Sequence, residues 1–237
     1  MKGNMMNWDL TIPQAILHAE KYNVEGKLIS RELDGSINST TYGESIKRSK
    51  KLANALTKIG VNLYDRVATI AWNNSRHFET YFAVSGMGAI LHTLNPRYSP
   101  DQLIYILNHA EDKVLIIDST FIPLVESVQD KLDTVETIII TSSQDAIQEN
   151  NLNNVFSYEE LIKDEADEYD WPELNENDAA SLCYTSGTTG NPKGVLYSHR
   201  STILHAVSIS GTMGFESSSS VLPVVPMFHV NAWGVPY

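Results

Sequence analysis

Apolar residues recur at helical spacing in one part of this chain and at strand spacing in the next, and the two patterns take turns. Thr41-x-x-Glu44 is a capping box, and Ile46, Ala53, Leu56 and Ile59 continue on one helical face until Gly60 closes the segment. Residues 66–72 read as a strand, and Asn74 or Ser75 starts a helix that runs through Phe78, Phe82 and Val84. Residues 89–94 form the next strand. Ser99-Pro100-Asp101-Gln102 then supplies a cap, a first-turn proline and a glutamine that reaches back, which starts a helix to about Ala110. Strands at 114–118 and 136–141 enclose a helix over 121–132. Strand and helix alternating at this interval predict an α/β fold of βαβ type, a mostly parallel sheet flanked by helices on both faces.

The flanks are less regular. Residues 1–39 predict irregular chain, with a helix from Thr11 or Pro13 to about Tyr22 and a short strand near 27–29. Residues 142–155 are polar and predict a surface loop, and Ser157 opens a short helix to Ile162. An apolar strand over 179–183 and another over 195–197 enclose a loop. Ser198 caps a helix over 199–213, and residues 216–220 form a polar turn.

Composition narrows the function classes. The net charge of −12, from 29 acidic residues against 17 Lys plus Arg, argues against a nucleic-acid backbone or an anionic membrane surface as a general partner. No stretch reaches the roughly 18 apolar residues of a membrane span, and residues 1–10 lack the apolar core of a signal peptide. The single cysteine, Cys183, sits on an apolar strand with no cation beside it, so it reads as a buried, inert thiol. A cytoplasmic protein is the expectation. Lys47, Arg48, Lys50 and Lys51 read as a solvated helix face, not an anion site. Eight carboxylates between 164 and 178 match no calcium-loop spacing and are interrupted by Trp171-Pro172, so they read as an acidic connector.

The chemically informative stretch is Tyr184-Thr185-Ser186-Gly187-Thr188-Thr189-Gly190-Asn191-Pro192-Lys193-Gly194. Glycine lets backbone N–H groups approach a ligand closely and form a concave anion site. The hydroxyls of Thr185, Ser186, Thr188 and Thr189 add donors, and Lys193 adds a mobile charge for a phosphate oxygen. A flexible hairpin turn is the bland alternative, but a turn seldom needs four hydroxyls and a lysine. The spacing is not the Walker pattern, because the lysine follows a proline and precedes glycine. Gly86-Met87-Gly88 lacks the third glycine of a dinucleotide fingerprint and opens a strand. A second stretch, Val225-Pro226-Met227-Phe228-His229-Val230-Asn231-Ala232-Trp233-Gly234, is apolar and aromatic. On its own, His229 reads as a satisfied core histidine and Trp233 as ordinary packing.

The first stretch resembles the phosphate-loop signature of the adenylate-forming superfamily, the family of acyl-CoA synthetases, luciferases and peptide-synthetase adenylation domains, with every fixed position present. Residues 225–233, Leu94-Asn95-Pro96-Arg97 and Leu107-Asn108-His109-Ala110-Glu111-Asp112 are similar to the bacterial fatty acyl-CoA synthetases. The resemblance runs from about Thr41 to Tyr237. It implies that a fatty-acid carboxylate attacks the α-phosphate of ATP to give acyl-adenylate, which coenzyme A then converts to the thioester. It also implies roles. Ser186, Gly187, Thr188, Thr189, Gly190 and Lys193 hold the β- and γ-phosphates, with Lys193 as a catalytic charge, and Thr185 helps to hold Mg²⁺. His229 lines the acyl carboxylate as a catalytic and substrate residue, and Trp233 gates the tunnel for the fatty chain.

By the same resemblance, members are more than twice this length. The adenine-proximal Tyr-Gly-x-Thr-Glu segment, the ribose-binding Thr-Gly-Asp segment and the C-terminal lid with its lysine are absent here. The expectation is therefore an N-terminal fragment, and the isolated piece should not turn over. Residues 41–200 should form an α/β subdomain ending in the phosphate loop, with 1–40 and 201–237 belonging to a second subdomain. Exposed apolar residues such as Val221, Val224 and Val225 should favour a second copy or the complementing C-terminal half as partner. Two other readings stay open: a non-catalytic nucleotide-binding module, and a ligase for an amino or aryl acid.

Overall fold

The computed structural model describes residues 1, 3–141, 150–185 and 191–237. Helix α1 (Ile12–Tyr22) is followed by strands β1 (Lys27–Arg31) and β2 (Ile37–Thr41), then helix α2 (Tyr42–Lys58). The βαβ series comprises β3 (Arg66–Ile70), α3 (Ser75–Gly86), β4 (Ile90–Thr93), α4 (Pro100–Ala110), β5 (Asp112–Ile117), the short α5 (Ile122–Glu126) and β6 (Thr137–Ile140). Strand β7 (Val155–Ser157), helix α6 (Tyr158–Lys163), strands β8 (Ala179–Thr185) and β9 (Lys193–Ser198), and helix α7 (His199–Met213) complete the order.

Seven strands form one sheet in the order β7-β6-β5-β3-β4-β8-β9. Every pairing is parallel except β8 with β9, which is antiparallel. The strands read as apolar runs because both faces are covered. Alternation divides them: Val67, Val114 and Ile116 enter the core beneath α2 and α3, while Ala68, Ile70, Leu115 and Ile117 enter the core beneath α4 and α5. Each large side chain buried in these layers contributes roughly 1.5–3 kcal/mol of apolar transfer energy.

The caps follow the sequence in full at α4 but only by half at α2, where the box expected of Thr41 and Glu44 is carried by the Thr41 side chain. Ser99 and Gln102 form the full reciprocal box at α4, whereas Thr41 accepts from the Glu44 backbone N–H at 3.1 Å to cap α2. Asn74 caps α3 and Ser198 caps α7 in the same way. Gly88, with φ +85°, sits where a Cβ would come within 2.3 Å of Leu63, so its glycine serves a tight strand entry and not a nucleotide.

Four expectations need correction. The helix expected over 121–132 is only α5, flanked by 3₁₀ turns at Ser119–Phe121 and Gln129–Lys131. Pro123 fixes its first turn, the Ser127 hydroxyl takes the Leu124 carbonyl at 2.6 Å, and Gln129 is diverted to bind the backbone of Asn151 and Asn153. The region before Ser39 is not merely irregular: β1 and β2 form an antiparallel hairpin whose tip is set by Asp34 accepting from the Ser36 N–H and by Gly35 at φ +87°. The second strand escaped notice because Ile37–Thr41 is polar and exposed. Val155–Ser157, expected to end a loop, adds an edge strand beside β6. The basic face of α2 is not simply solvated, since Arg48 lies in an ion-pair network with Glu79 and Glu159, and Lys50 pairs with Glu20.

Candidate functional site

The β8–β9 hairpin places Thr185 directly opposite Lys193, so these two residues flank the mouth of the loop. The Thr185 hydroxyl reaches the Lys193 carbonyl at 3.5 Å, and both residues are exposed. Ser186, Gly187, Thr188, Thr189 and Gly190 lie outside the described residues. Gly194 is closely packed: a Cβ there would stand 3.1 Å from Leu182 and 3.2 Å from the Tyr184 ring.

The base of the hairpin is fastened on its inner face. Tyr98 donates to the Tyr184 carbonyl at 3.1 Å, and the Tyr184 hydroxyl meets His109 Nδ1 at 2.6 Å. The Tyr184 ring also lies 5.2 Å from that of His92, whose Nδ1 bonds the buried Asp112 carboxylate at 2.7 Å. Burial pushes the Tyr184 phenol up to about 12, with the negative charge of Asp112 adding to it. Burial likewise raises the Cys183 thiol, which stays an unreactive neutral group as its sequence context suggests.

The second stretch is tied to the same sheet from several sides. Asn73 accepts from the Met227 N–H at 2.7 Å and donates to the Pro223 carbonyl at 3.2 Å. Tyr81 donates to the Met227 carbonyl. Phe228 meets Trp72 edge-on at 5.8 Å, and Tyr237 packs between Tyr81 and Phe82. Beyond His229 the backbone winds left-handed: φ is 48° at Val230, 49° at Asn231 and Ala232, 56° at Trp233 and 69° at Gly234. Four consecutive non-glycine residues in this region cost roughly 1–2 kcal/mol each. The burial of Ala232 and the three side-chain hydrogen bonds of buried Asn231 work against that cost.

His229 and Trp233 are exposed, with Trp233 at 59%. The structure brings their segment to β8, the strand that enters the loop, through Asn231. Reading the sequence missed Asn231, Asn73 and Tyr81. The available signal was a lone amide inside an apolar aromatic run, a residue type that tolerates positive φ and must find partners when buried. Among the described residues, no group of three or more His, Cys, Asp or Glu stands close enough together to hold a metal ion. The acidic connector instead spends Glu165 on Lys58 and Glu176 on Arg200. No helix is long and apolar enough to cross a membrane among the described residues.

Known proteins resemble this chain in sequence and in fold. A medium-chain-fatty-acid–CoA ligase from Ectopseudomonas oleovorans is 46% identical across all of this chain, which spans 44% of that protein. A 3-methylmercaptopropionyl-CoA ligase from Ruegeria lacuscaerulensis is 47% identical, again over the whole chain and 44% of the relative. The chain therefore spans less than half the length of these relatives. Among solved structures, an anthranilate CoA ligase in complex with anthranoyl-AMP superposes with a TM-score of 0.83 at 21% identity, covering the whole chain and 45% of that structure. A long-chain-fatty-acid-CoA ligase from Archaeoglobus fulgidus gives 0.80 at 22% identity, over 95% of the chain and 44% of that structure. The AMP-binding enzyme pattern matches residues 18–237, and with the hairpin in place the chain belongs to the AMP-binding enzyme family.

Proposed function

We propose that this chain carries the triphosphate-binding and acyl-entry parts of an ATP-dependent fatty acid–CoA ligase. The observation that carries the reading is the 46% identity to the medium-chain-fatty-acid–CoA ligase across the whole chain. Lys193 and the loop backbone stabilise charge on the β- and γ-phosphates while the carboxylate attacks the α-phosphate in line. The oxygen of Thr185, exposed at the mouth of the hairpin, fits as one hard ligand for Mg²⁺, whose other ligands would include phosphate oxygens. When bound, Mg²⁺ neutralises charge on the phosphates. His229 lines the acyl carboxylate, and Trp233 stands where the chain of the acid enters. Coenzyme A takes the acyl group in the second step.

The surrounding assignments follow from the same reading. Residues 41–200 are one α/β unit, and 201–237 begin a second, with residues 1–40 contributing to it. Exposed apolar residues on β9 and α7, such as Leu196, Leu204 and Val207, are assigned to contact with further polypeptide: the rest of a full-length ligase or a second copy. A cytoplasmic location fits the single buried thiol.

Calorimetry with Mg·ATP on this chain tests the nucleotide site. Acyl-hydroxamate formation by this chain, fused to the rest of the Ectopseudomonas oleovorans ligase beyond the match, tests the reaction. Failure with every fatty acid tried removes the assignment; nucleotide binding without turnover in the fusion supports a non-catalytic module. The 3-methylmercaptopropionyl-CoA ligase at 47% identity favours a second reading, in which the acid is short and carries a thioether. The same assay across fatty, thioether, aryl and amino acids decides between them.

A further inference from the structure

We infer that Asn231 is the positioning residue of the acyl end. It holds the left-handed turn Val230–Gly234 on β8 and so fixes where His229 and Trp233 stand relative to the strand that enters the phosphate loop. The roles of His229 and Trp233 rest on the function proposed above; the anchoring itself rests on geometry alone.

Asn231 is 5% exposed and uses both ends of its amide. Its Nδ2 donates to the Ser181 hydroxyl at 2.8 Å. Its Oδ1 accepts from the Thr93 hydroxyl at 3.1 Å and from the Cys183 thiol at 3.3 Å. Ser181 and Cys183 are two apart on β8, so their side chains share one face. Thr93 is the register partner of Cys183 on β4. The three contacts therefore come from two adjacent central strands, a platform that does not shift unless the sheet does.

The residue type matches this duty. Asparagine tolerates positive φ better than other non-glycine residues, and its amide offers donor and acceptor together. Aspartate would lose the N–H that Ser181 Oγ accepts and would bury a charge. Leucine would leave Ser181 and Thr93 without this partner in a buried site, which is costly. On the far side of the turn, His205 Nε2 meets the Trp233 carbonyl at 2.8 Å. The backbone is thus held at two points, while the side chains of His229, Val230 and Trp233 remain exposed.

The expected consequence of losing Asn231 is local. Asn73 and Tyr81 already hold residues 223–227, and Tyr237 is packed against Tyr81 and Phe82. Removing the amide frees the short stretch between these fixed ends and leaves the sheet intact.

The chain has four tryptophans and one cysteine, which makes the test direct. Labelled with fluorotryptophan, it gives fluorine resonances of which Trp233 is assigned by Trp233→Phe. In Asn231→Ala the Trp233 resonance should narrow and move toward that of free fluorotryptophan, while those of Trp72 and Trp171 hold. Cys183 should react roughly tenfold faster with an aromatic disulfide, the scale of opening expected when a buried polar contact is lost. Asn231→Gly keeps the left-handed backbone freedom without the amide and should behave like the alanine variant. Unchanged Trp233 and Cys183 signals in Asn231→Ala would overturn the anchoring, as would wild-type behaviour of Asn231→Gly. Collapse of all the tryptophan resonances together would make Asn231 a general folding residue and also overturn it. A medium-chain acid, decanoate, then reads the positioning: its affinity should fall about tenfold in Asn231→Ala with Mg·ATP affinity kept, and equal affinity would sink the positioning role. If decanoate does not bind the unsubstituted chain, the acyl-end reading fails while the anchoring results stand.

Discussion

Arg48 on α2 and Glu79 on α3 form an ion pair at 2.8 Å in which the glutamate side chain is only 1% exposed. Arg48 also binds Glu159 through both terminal nitrogens, and Tyr158 donates to the other Glu79 oxygen at 2.7 Å. Three helices are therefore pinned by one guanidinium. Burial pushes the Glu79 carboxyl up against the pull of Arg48. Arg48→Ala leaves Glu79 buried without its charge partner and should cost about 3 kcal/mol. Glu79→Gln in the same chain should recover part of that loss. Urea unfolding checks both, and a loss below about 1 kcal/mol for Arg48→Ala would show that the network is not under this constraint.

His77 gives the fold a pH dependence whose sign is fixed by its partners. Its Nδ1 faces the Trp72 carbonyl at 3.1 Å, which only accepts, so Nδ1 carries the proton and Nε2 accepts from the Thr69 hydroxyl at 3.0 Å. The imidazole is satisfied when neutral, and burial lowers its pKa from 6.5 to about 4. Between these values the unfolded chain binds a proton that the folded chain does not, so stability falls as pH drops from about 6.5 towards 4. The full contribution is roughly 3 kcal/mol. Carboxylates raised by burial, such as Glu79, act with the opposite sign, so the effect is read as a difference. His77→Gln should flatten the fall in unfolding free energy across this window, and parallel curves for the two proteins would refute the assignment.

The parallel sheet was legible because its strands announce themselves as apolar runs between capped helices, as Ser99 and Gln102 show in full. Local signals failed where tertiary partners decide. Arg48 looked like part of a solvated face, and only the approach of α3 and α6 turned it into a half-buried hub. Residues 121–132 kept helical spacing, but Ser127 and Gln129 are taken by neighbouring carbonyl and amide groups. At the candidate site, the hairpin itself was legible, because apolar runs on either side of a glycine-rich loop pair as β8 and β9 with Thr185 opposite Lys193. Asn231 was not, because its value lies in Ser181, Thr93 and Cys183, which are far from it in sequence.

Gly194→Ala tests the packing of the hairpin independently of any ligand. The added methyl would press on Leu182 and on the Tyr184 ring at 3.1–3.2 Å. Tyr184 has little freedom to retreat, because its hydroxyl is held by His109 and its carbonyl by Tyr98. Overpacking of this kind should cost about 1–3 kcal/mol in urea unfolding. Tyr184→Leu in the same chain should return part of it by removing the obstructing ring. A neutral Gly194→Ala would mean that the strands part easily and that the glycine serves only the loop.

Lys193→Ala separates binding from stability. Lys193 is exposed, and its backbone remains in register with Thr185 whatever the side chain. Truncation should leave the melting temperature within a degree or two, as surface substitutions do. Hydrogen bonds to charged groups are worth about 1.5–3 kcal/mol, so the affinity for Mg·ATP should fall roughly 10- to 150-fold. Lys47→Ala, an exposed lysine on α2, removes the same charge away from the hairpin and should leave the affinity nearly unchanged. Equal losses in the two variants would mean that the nucleotide responds only to overall charge. No loss in either would place the triphosphate away from the hairpin.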